Sequence, residues 1–146
     1  MQIRRAIPSD IPDLLPMMRD FSKFYGSKKP LYRDDETAIE LLRGMIESHI
    51  VMAAEKNRGL VGVIGGIIGP NYFNPDIINL TETFWWVDPA HRRSSAGLGL
   101  LEAFISYGRA NADWISFTLE CESPVRNETL TRRGFVLKEK NFILEI

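Results

Sequence analysis

The sequence predicts an α/β (α+β) fold: a mixed, mostly antiparallel central sheet flanked by helices. Three observations lead there. Two early segments and one after residue 96 carry apolar residues at helical spacing. β-favouring apolar runs fill the middle of the chain. The elements interleave in the order β-α-α-β-β-β-α-β-α-β-β. Residues 1–146 suffice for a single domain with its own core, and 45% hydrophobic with 25% charged residues is ordinary for a globular chain.

Residues 3–6 read as an opening strand. Pro8-Ser9-Asp10 signals a helix start, with Ser9 or Asp10 as cap. Ile11, Leu14, Leu15, Met18 and Phe21 continue that helix; Pro12 suits its first turn, whereas Pro16 predicts a kink or a later start. After a loop at 26–30, Asp34-Asp35-Glu36 opens a second helix whose stripe is Ala38, Leu41, Leu42, Met45 and Ile46. Residues 50–55 and 60–68 are strands joined by the turn Asn57-Arg58-Gly59. The glycines of the second lack the spacing of a nucleotide fingerprint and fit close strand packing or a bulge. A loop at 71–76 leads into the central strand, 77–87. A helix over 98–112, a strand over 114–121 and a short helix over 124–133 follow, and residues 134–137 and 140–146 read as a closing hairpin.

Several function classes are set aside. A net charge of −1 gives no general attraction to nucleic acid or anionic membrane. No apolar run is long enough to span a bilayer, and residues 1–6 lack the apolar core of a signal peptide. Cys121, the one cysteine, has no partner for an internal disulfide. A reducing, cytoplasmic setting is expected. His49, His91 and Cys121 stand too far apart for a metal site, so no metal is expected either.

The stretch from Val87 to Gly99 is the most informative. A strand feeds a helix through Asp88-Pro89-Ala90-His91-Arg92-Arg93-Ser94-Ser95-Ala96-Gly97-Leu98-Gly99. Such a loop can turn backbone N–H groups outward, the helix behind it adds the positive end of its dipole, and small residues allow close approach to the main chain. That chemistry suits a pyrophosphate; the alternative is an ordinary surface turn.

This loop and element order resemble the GNAT superfamily of acyl-CoA-dependent N-acyltransferases, over nearly the whole chain. Thr81 to Asn111 carries most of the likeness, and Gly134-Phe135 falls where that family places a Gly-Phe pair. The resemblance implies one N-acetyltransferase domain with acetyl-CoA as cosubstrate. Arg92, Arg93, Ser94, Ser95, Ala96, Gly97, Leu98 and Gly99 would cradle the diphosphate, and the pantetheine arm would lie in a gap between the fourth and fifth strands. A strand N–H of Trp86 or Val87 would face the thioester oxygen. Asn127 corresponds to an asparagine that touches the coenzyme arm, although capping or exposure is an equal claim on it and on Ser123. Homodimers are common in that family.

Two departures stand out. Where the family loop has Arg or Gln three residues before its first glycine, this chain has Ser94, with the arginines earlier. Where it often has an acidic tyrosine four residues before the Gly-Phe glycine, this chain has Leu130. Tyr107, on the helix behind the loop, reads as packing rather than chemistry.

An amine must be neutral to attack a thioester, so a base is required. Glu82 resembles the strand glutamate some members use, and burial among Leu80, Phe84 and Trp86 would raise its pKa. It could equally be a structural partner for a basic group, or simply be solvated. The acceptor, a small-molecule or peptide amine, would pass Tyr25, Tyr32, Asp34, Asp35 and Glu36, with Tyr72 and Phe73 nearby; acids at a helix start are also ordinary dipole partners. Two readings of function follow: transfer of an acetyl group to a primary amine by direct attack, or a non-catalytic coenzyme-binding, regulatory or interaction module on the same scaffold, which the missing tyrosine favours.

Overall fold

The computed structural model describes all residues, 1–146. Strands β1 (Gln2–Arg5), β2 (Ile50–Lys56), β3 (Gly59–Pro70), β4 (Ile78–Val87) and β5 (Trp114–Ser116) form one sheet in the order β1-β2-β3-β4-β5. The first four are antiparallel, and β5 joins β4 in parallel. Helices α1 (Ile11–Tyr25) and α2 (Asp35–Ser48) cover one face; α3 (Ala96–Asn111) covers the other. A short helix, α4 (Asn127–Thr131), follows β5.

Apolar alternation divides the core between the faces. Val51, Ala53, Val63, Phe84 and Trp86 meet Leu14 and Leu42 on the α1–α2 side. Ile50, Met52, Ile64, Leu80 and Val87 meet Leu100 and Phe104 on the α3 side. Helix α1 starts at Ile11 and runs through Pro16, which faces solvent in the second turn. It stops at Gly26, whose φ of 72° is the left-handed conformation that glycine tolerates. Asp10 does not cap α1 with its side chain. Its carboxylate instead accepts from the Ile7 amide at 2.8 Å and from both Arg4 guanidinium nitrogens at 2.7 and 2.9 Å. Asp34 caps α2, accepting from the Thr37 amide at 2.7 Å.

The register of β3 against β4 shifts by one residue. Gly65 faces Phe84 and Gly66 faces Glu82, which leaves Thr83 as an extra residue on β4. Its hydroxyl donates to the Gly65 carbonyl at 3.2 Å. The bulge reverses the alternation beyond it, so Leu80 and Phe84 belong to opposite faces. The two glycines make the crossing possible. A β-carbon at Gly65 would meet the Phe84 ring at 2.3 Å, and one at Gly66 would meet Phe104 at 2.6 Å and the Thr81 carbonyl at 2.8 Å.

The closing hairpin expected from the sequence does not form: residues 136–146 contain no strand. The expected strand 114–121 is also cut to three residues. The two are linked, because a hairpin needs a sheet edge to continue, and β5 ends before offering one. Val136, Leu137, Phe142, Leu144 and Ile146 therefore stay exposed. The end of the chain is tied elsewhere, with the Glu145 carboxylate accepting from the Lys28 amide at 3.0 and 2.9 Å.

Gly66→Ala is expected to destabilise the fold by roughly 1–3 kcal/mol, because backbone as well as ring must move. Gly69→Ala, with nothing within 4 Å of the added carbon, should leave thermal stability close to wild type. Paired melting curves check this, and equal midpoints would contradict the role given to the bulge.

Candidate functional site

Strands β4 and β5 pair only through Asn79–Trp114, Leu80–Ile115 and Thr81–Ser116. Beyond that point they part. The segment after β5 keeps clear of β4, and the Phe117 ring packs edge-on against Trp85, Phe104 and Phe135 at centroid distances of 6.1, 5.3 and 5.4 Å. Phe135 reaches this cluster through the turn at Gly134, whose φ is 89°. Between the parted strands lies a cleft of about 140 Å³. Glu82, Trp85, Trp86 and Val87 form one wall, Thr118 to Glu120 and Ser123 to Val125 the other; Phe21, Phe24, Arg92 and Gly97 complete it.

Glu82 lies in this cleft and is 8% exposed. Its bulge partner Gly66 looks toward Phe104, so Glu82 leaves the sheet on the α3 side. Phe84 and Trp86 are thus not its same-face neighbours, contrary to simple alternation. The Thr118 amide approaches its carboxylate at 3.5 Å. No salt bridge reaches it, which removes the reading of Glu82 as a structural partner for a basic group. Burial pushes its pKa up to about 8; the Thr118 amide opposes the rise and the nearby Glu120 charge adds to it.

The turn before α3 divides its amides into two sets. The Ser94 amide donates to the His91 carbonyl at 2.9 Å, the Ala96 amide to the Ser94 hydroxyl at 3.2 Å, and the Gly99 amide to the Ser95 carbonyl at 2.9 Å. Those of Arg92, Arg93, Ser95, Gly97 and Leu98 have no partner within the chain. Ser95 provides no side-chain cap, so the first turn of α3 is left open. Arg92 lies with its guanidinium carbon 4.5 Å from the centre of the Trp86 ring and donates its Nε to the Val87 carbonyl at 3.1 Å.

The two glycines of the loop separate in role. A β-carbon on Gly97 would stand 3.8 Å from Val87 and 3.9 Å from Trp85, on the cleft wall. One on Gly99 would meet Ile3 at 2.9 Å, so Gly99 serves the contact of α3 with β1. Asn127 is exposed at the start of α4 and does not line the cleft. Leu130 is buried against Leu101 and Ile105, and Tyr107 packs under Arg5 with 5.6 Å from its guanidinium carbon to the ring centre. Cys121 is exposed.

Sequence reasoning missed Thr118, Glu120 and Val125. All three belong to the segment read as regular strand and helix, and nothing in its composition marks the early end of pairing. Asp35 is engaged by Arg19 at 2.7 and 2.8 Å and by the Tyr32 hydroxyl at 2.6 Å, and Asp34 by its cap, as the dipole-partner alternative has it. Tyr72 and Phe73 stack on each other at 4.2 Å in an exposed loop, away from the cleft. No helix is long and apolar enough to cross a membrane, and no group of three His, Cys, Asp or Glu side chains is placed to hold a metal ion.

A five-stranded mixed sheet that opens beside an amide-lined turn is the architecture of an acyltransferase. The sequence matches the family model described as Acetyltransferase (GNAT) family over residues 14–135, and the chain belongs to that family. No curated protein matches it in sequence. Solved structures share the fold at low identity. A ribosomal-protein-alanine N-acetyltransferase from Brucella melitensis biovar Abortus 2308 is 14% identical, with a TM-score of 0.74 and 100% of each chain covered. A predicted acetyltransferase with acetyl-CoA from Clostridium acetobutylicum is 16% identical, with a TM-score of 0.76, covering 99% of this chain and 95% of that one. A transcriptional regulator from Bacillus halodurans C-125 is 16% identical, with a TM-score of 0.78 and 99% of each chain covered.

The buried carboxyl makes stability depend on pH. Glu82 in the folded chain keeps its proton up to about pH 8, whereas an unfolded glutamate loses it near a pKa of roughly 4.3. Between those values the native state binds more protons, so this group's contribution is complete at low pH and is lost as pH rises through the folded value. Glu82→Gln should therefore melt above wild type at pH 9, with the gap closing by pH 5. Parallel melting-point profiles from pH 5 to 9 would show that the carboxyl titrates like an exposed one.

Proposed function

We propose that this chain is an acetyl-CoA-dependent N-acetyltransferase that acylates a primary amine by direct attack. The single observation that carries the reading is the parting of β4 from β5 after Thr81–Ser116, with Glu82 in the gap and an open helix start at its end.

The residues fit the coenzyme. The free amides of Arg92, Arg93, Ser95, Gly97 and Leu98 at the head of α3 suit a diphosphate, and the Arg92 and Arg93 guanidinium groups add charge-assisted donors. Ser94, Ala96 and Gly99 shape the turn rather than donate. The unpaired edge of β4 suits an extended arm with amide groups of its own. Bound acetyl-CoA supplies the activated acyl thioester.

The alternation of β4 selects the donor for the carbonyl oxygen. The Asp88 amide donates to the Val61 carbonyl at 3.0 Å, across to β3. Val87, one residue earlier, must point its N–H and C=O the other way, and its carbonyl is indeed the one Arg92 reaches from the cleft. Val87 N–H, rather than Trp86 N–H, then faces developing negative charge on the acyl oxygen. Glu82, in its ionised form, takes the proton from the amine directly or through one water. Leu130 lies in the core, so no phenol stands there to protonate a leaving sulfur; a thiol pKa of roughly 8.5 makes that help dispensable.

The second reading, a coenzyme-binding module without turnover, draws on the same Leu130. Acetyl-CoA is expected to raise the melting point by several degrees at about 100-fold excess over Kd. Gly97→Val should remove the shift in a folded protein, whereas Gly99→Val should lower the melting point of the free protein through Ile3. In wild type, kcat/KM should climb about tenfold per pH unit below pH 8 and level off above it. Glu82→Gln should lose that limb and roughly a hundredfold or more in rate while keeping the thermal shift. A shift with no acetyl transfer to any of a broad amine panel would decide for the module.

A further inference from the structure

The larger cavity of the molecule is on the opposite side of the sheet from α3. It measures about 240 Å³ and lies between α1, α2, the loop joining them, and strands β3 and β4. Leu31 from the loop, Leu41 from α2 and Ile67 from β3 all line it, and all are about half exposed, at 55%, 51% and 46%. Three large apolar side chains from three separate elements, converging yet left open to water, mark a surface that something apolar covers.

The cavity is continuous with the Glu82 cleft in two ways. Phe21 lines both. The bulge also turns Thr83 and Phe84, the residues after Glu82, into its wall. A ligand resting on Phe84 has its end directed at the place where Glu82 is reached through the parted strands.

Charge is distributed unevenly along this path. Near Glu82 stands a second carboxylate, Glu120. On the rim of the apolar cavity the acids are already engaged. Asp34 caps α2 and lies 3.3 Å from the Arg33 guanidinium, and Asp35 is held by Arg19 and Tyr32. The rim thus offers no free carboxylate and carries two arginines. One ammonium group is provided for at the Glu82 end, and further cations along the body of the ligand would meet like charge and apolar walls.

We propose, on the reading that this chain acetylates amines, that this cavity holds the body of the acceptor and that the substrate is a mono-amine on an aliphatic or aromatic group, not a polycation. Leu41 and Ile67 then set specificity by contact area. In a series of linear alkylamines from propyl to heptyl, KM should fall roughly threefold per added methylene until the cavity is filled. 2-Phenylethylamine should exceed spermidine and kanamycin in kcat/KM by at least about thirtyfold. Leu41→Lys and Ile67→Lys, both at half-exposed positions the fold should tolerate, should raise the KM for 2-phenylethylamine about tenfold or more while leaving the acetyl-CoA thermal shift unchanged.

Saturation-transfer NMR of 2-phenylethylamine on the coenzyme A-loaded protein gives a readout independent of turnover. Its signal should be lost in Ile67→Lys. Amine binding without acetylation would keep the cavity assignment and overturn the catalytic reading. Acetylation with equal or better use of spermidine or kanamycin would do the reverse. A flat alkylamine series, an unchanged KM in both lysine variants, or neither binding nor turnover would overturn the proposal.

Discussion

Strand β4 is bonded to β3 along its whole length but to β5 over only three residues. The site follows from that asymmetry. An unpaired strand edge is a row of donors and acceptors that is costly if sealed away from water. Here the edge opens into a cleft, where water or a ligand can meet it, and one acceptor, the Val87 carbonyl, is already met by Arg92. The aromatic cluster around Phe117 holds the opposite wall away, so the gap is a feature of packing on both sides and not a frayed end.

Two acidic residues of this chain are buried, and they are treated in opposite ways. Asp10 receives a bidentate arginine and a backbone amide, and its pKa is lowered, first by Arg4. That arrangement locks the start of α1 to β1, and through the Arg4–Glu55 contact to β2. Glu82 receives one long amide contact and no cation. A carboxyl left without a partner in an apolar surround holds its proton instead of its charge. The first is the pattern of a structural residue; the second leaves a group whose protonation can change within the ordinary working range of pH.

The sequence made the element order, both helices before β2, the central strand, the turn at Gly97 and the burial of Glu82 legible. Periodicity and cap residues are local signals, and those elements follow local rules. What stayed hidden depended on contacts between distant residues. The bulge at Thr83 shows in the sequence only as a pair of glycines on β3, and its reversal of faces needs Phe84 and Phe104 to cross those glycines from opposite sides. The early end of β5 could not be read from residues 114–121, whose composition is strand-like throughout. Nor could the sequence divide the loop amides into those that hold the turn together and those left free. Gly99, which looks like half of a binding motif, is fixed by Ile3 nearly a hundred positions away.

The Glu145 carboxylate grips the Lys28 amide, and Lys28 leads directly into Leu31 at the mouth of the apolar cavity. The tail of the protein is thereby moored to the rim of the pocket that α1 and α2 frame. Anything fused after Ile146 hangs one residue beyond that mooring, so an affinity handle placed there loads the very loop whose position gauges the width of the opening. A handle at Met1 avoids this.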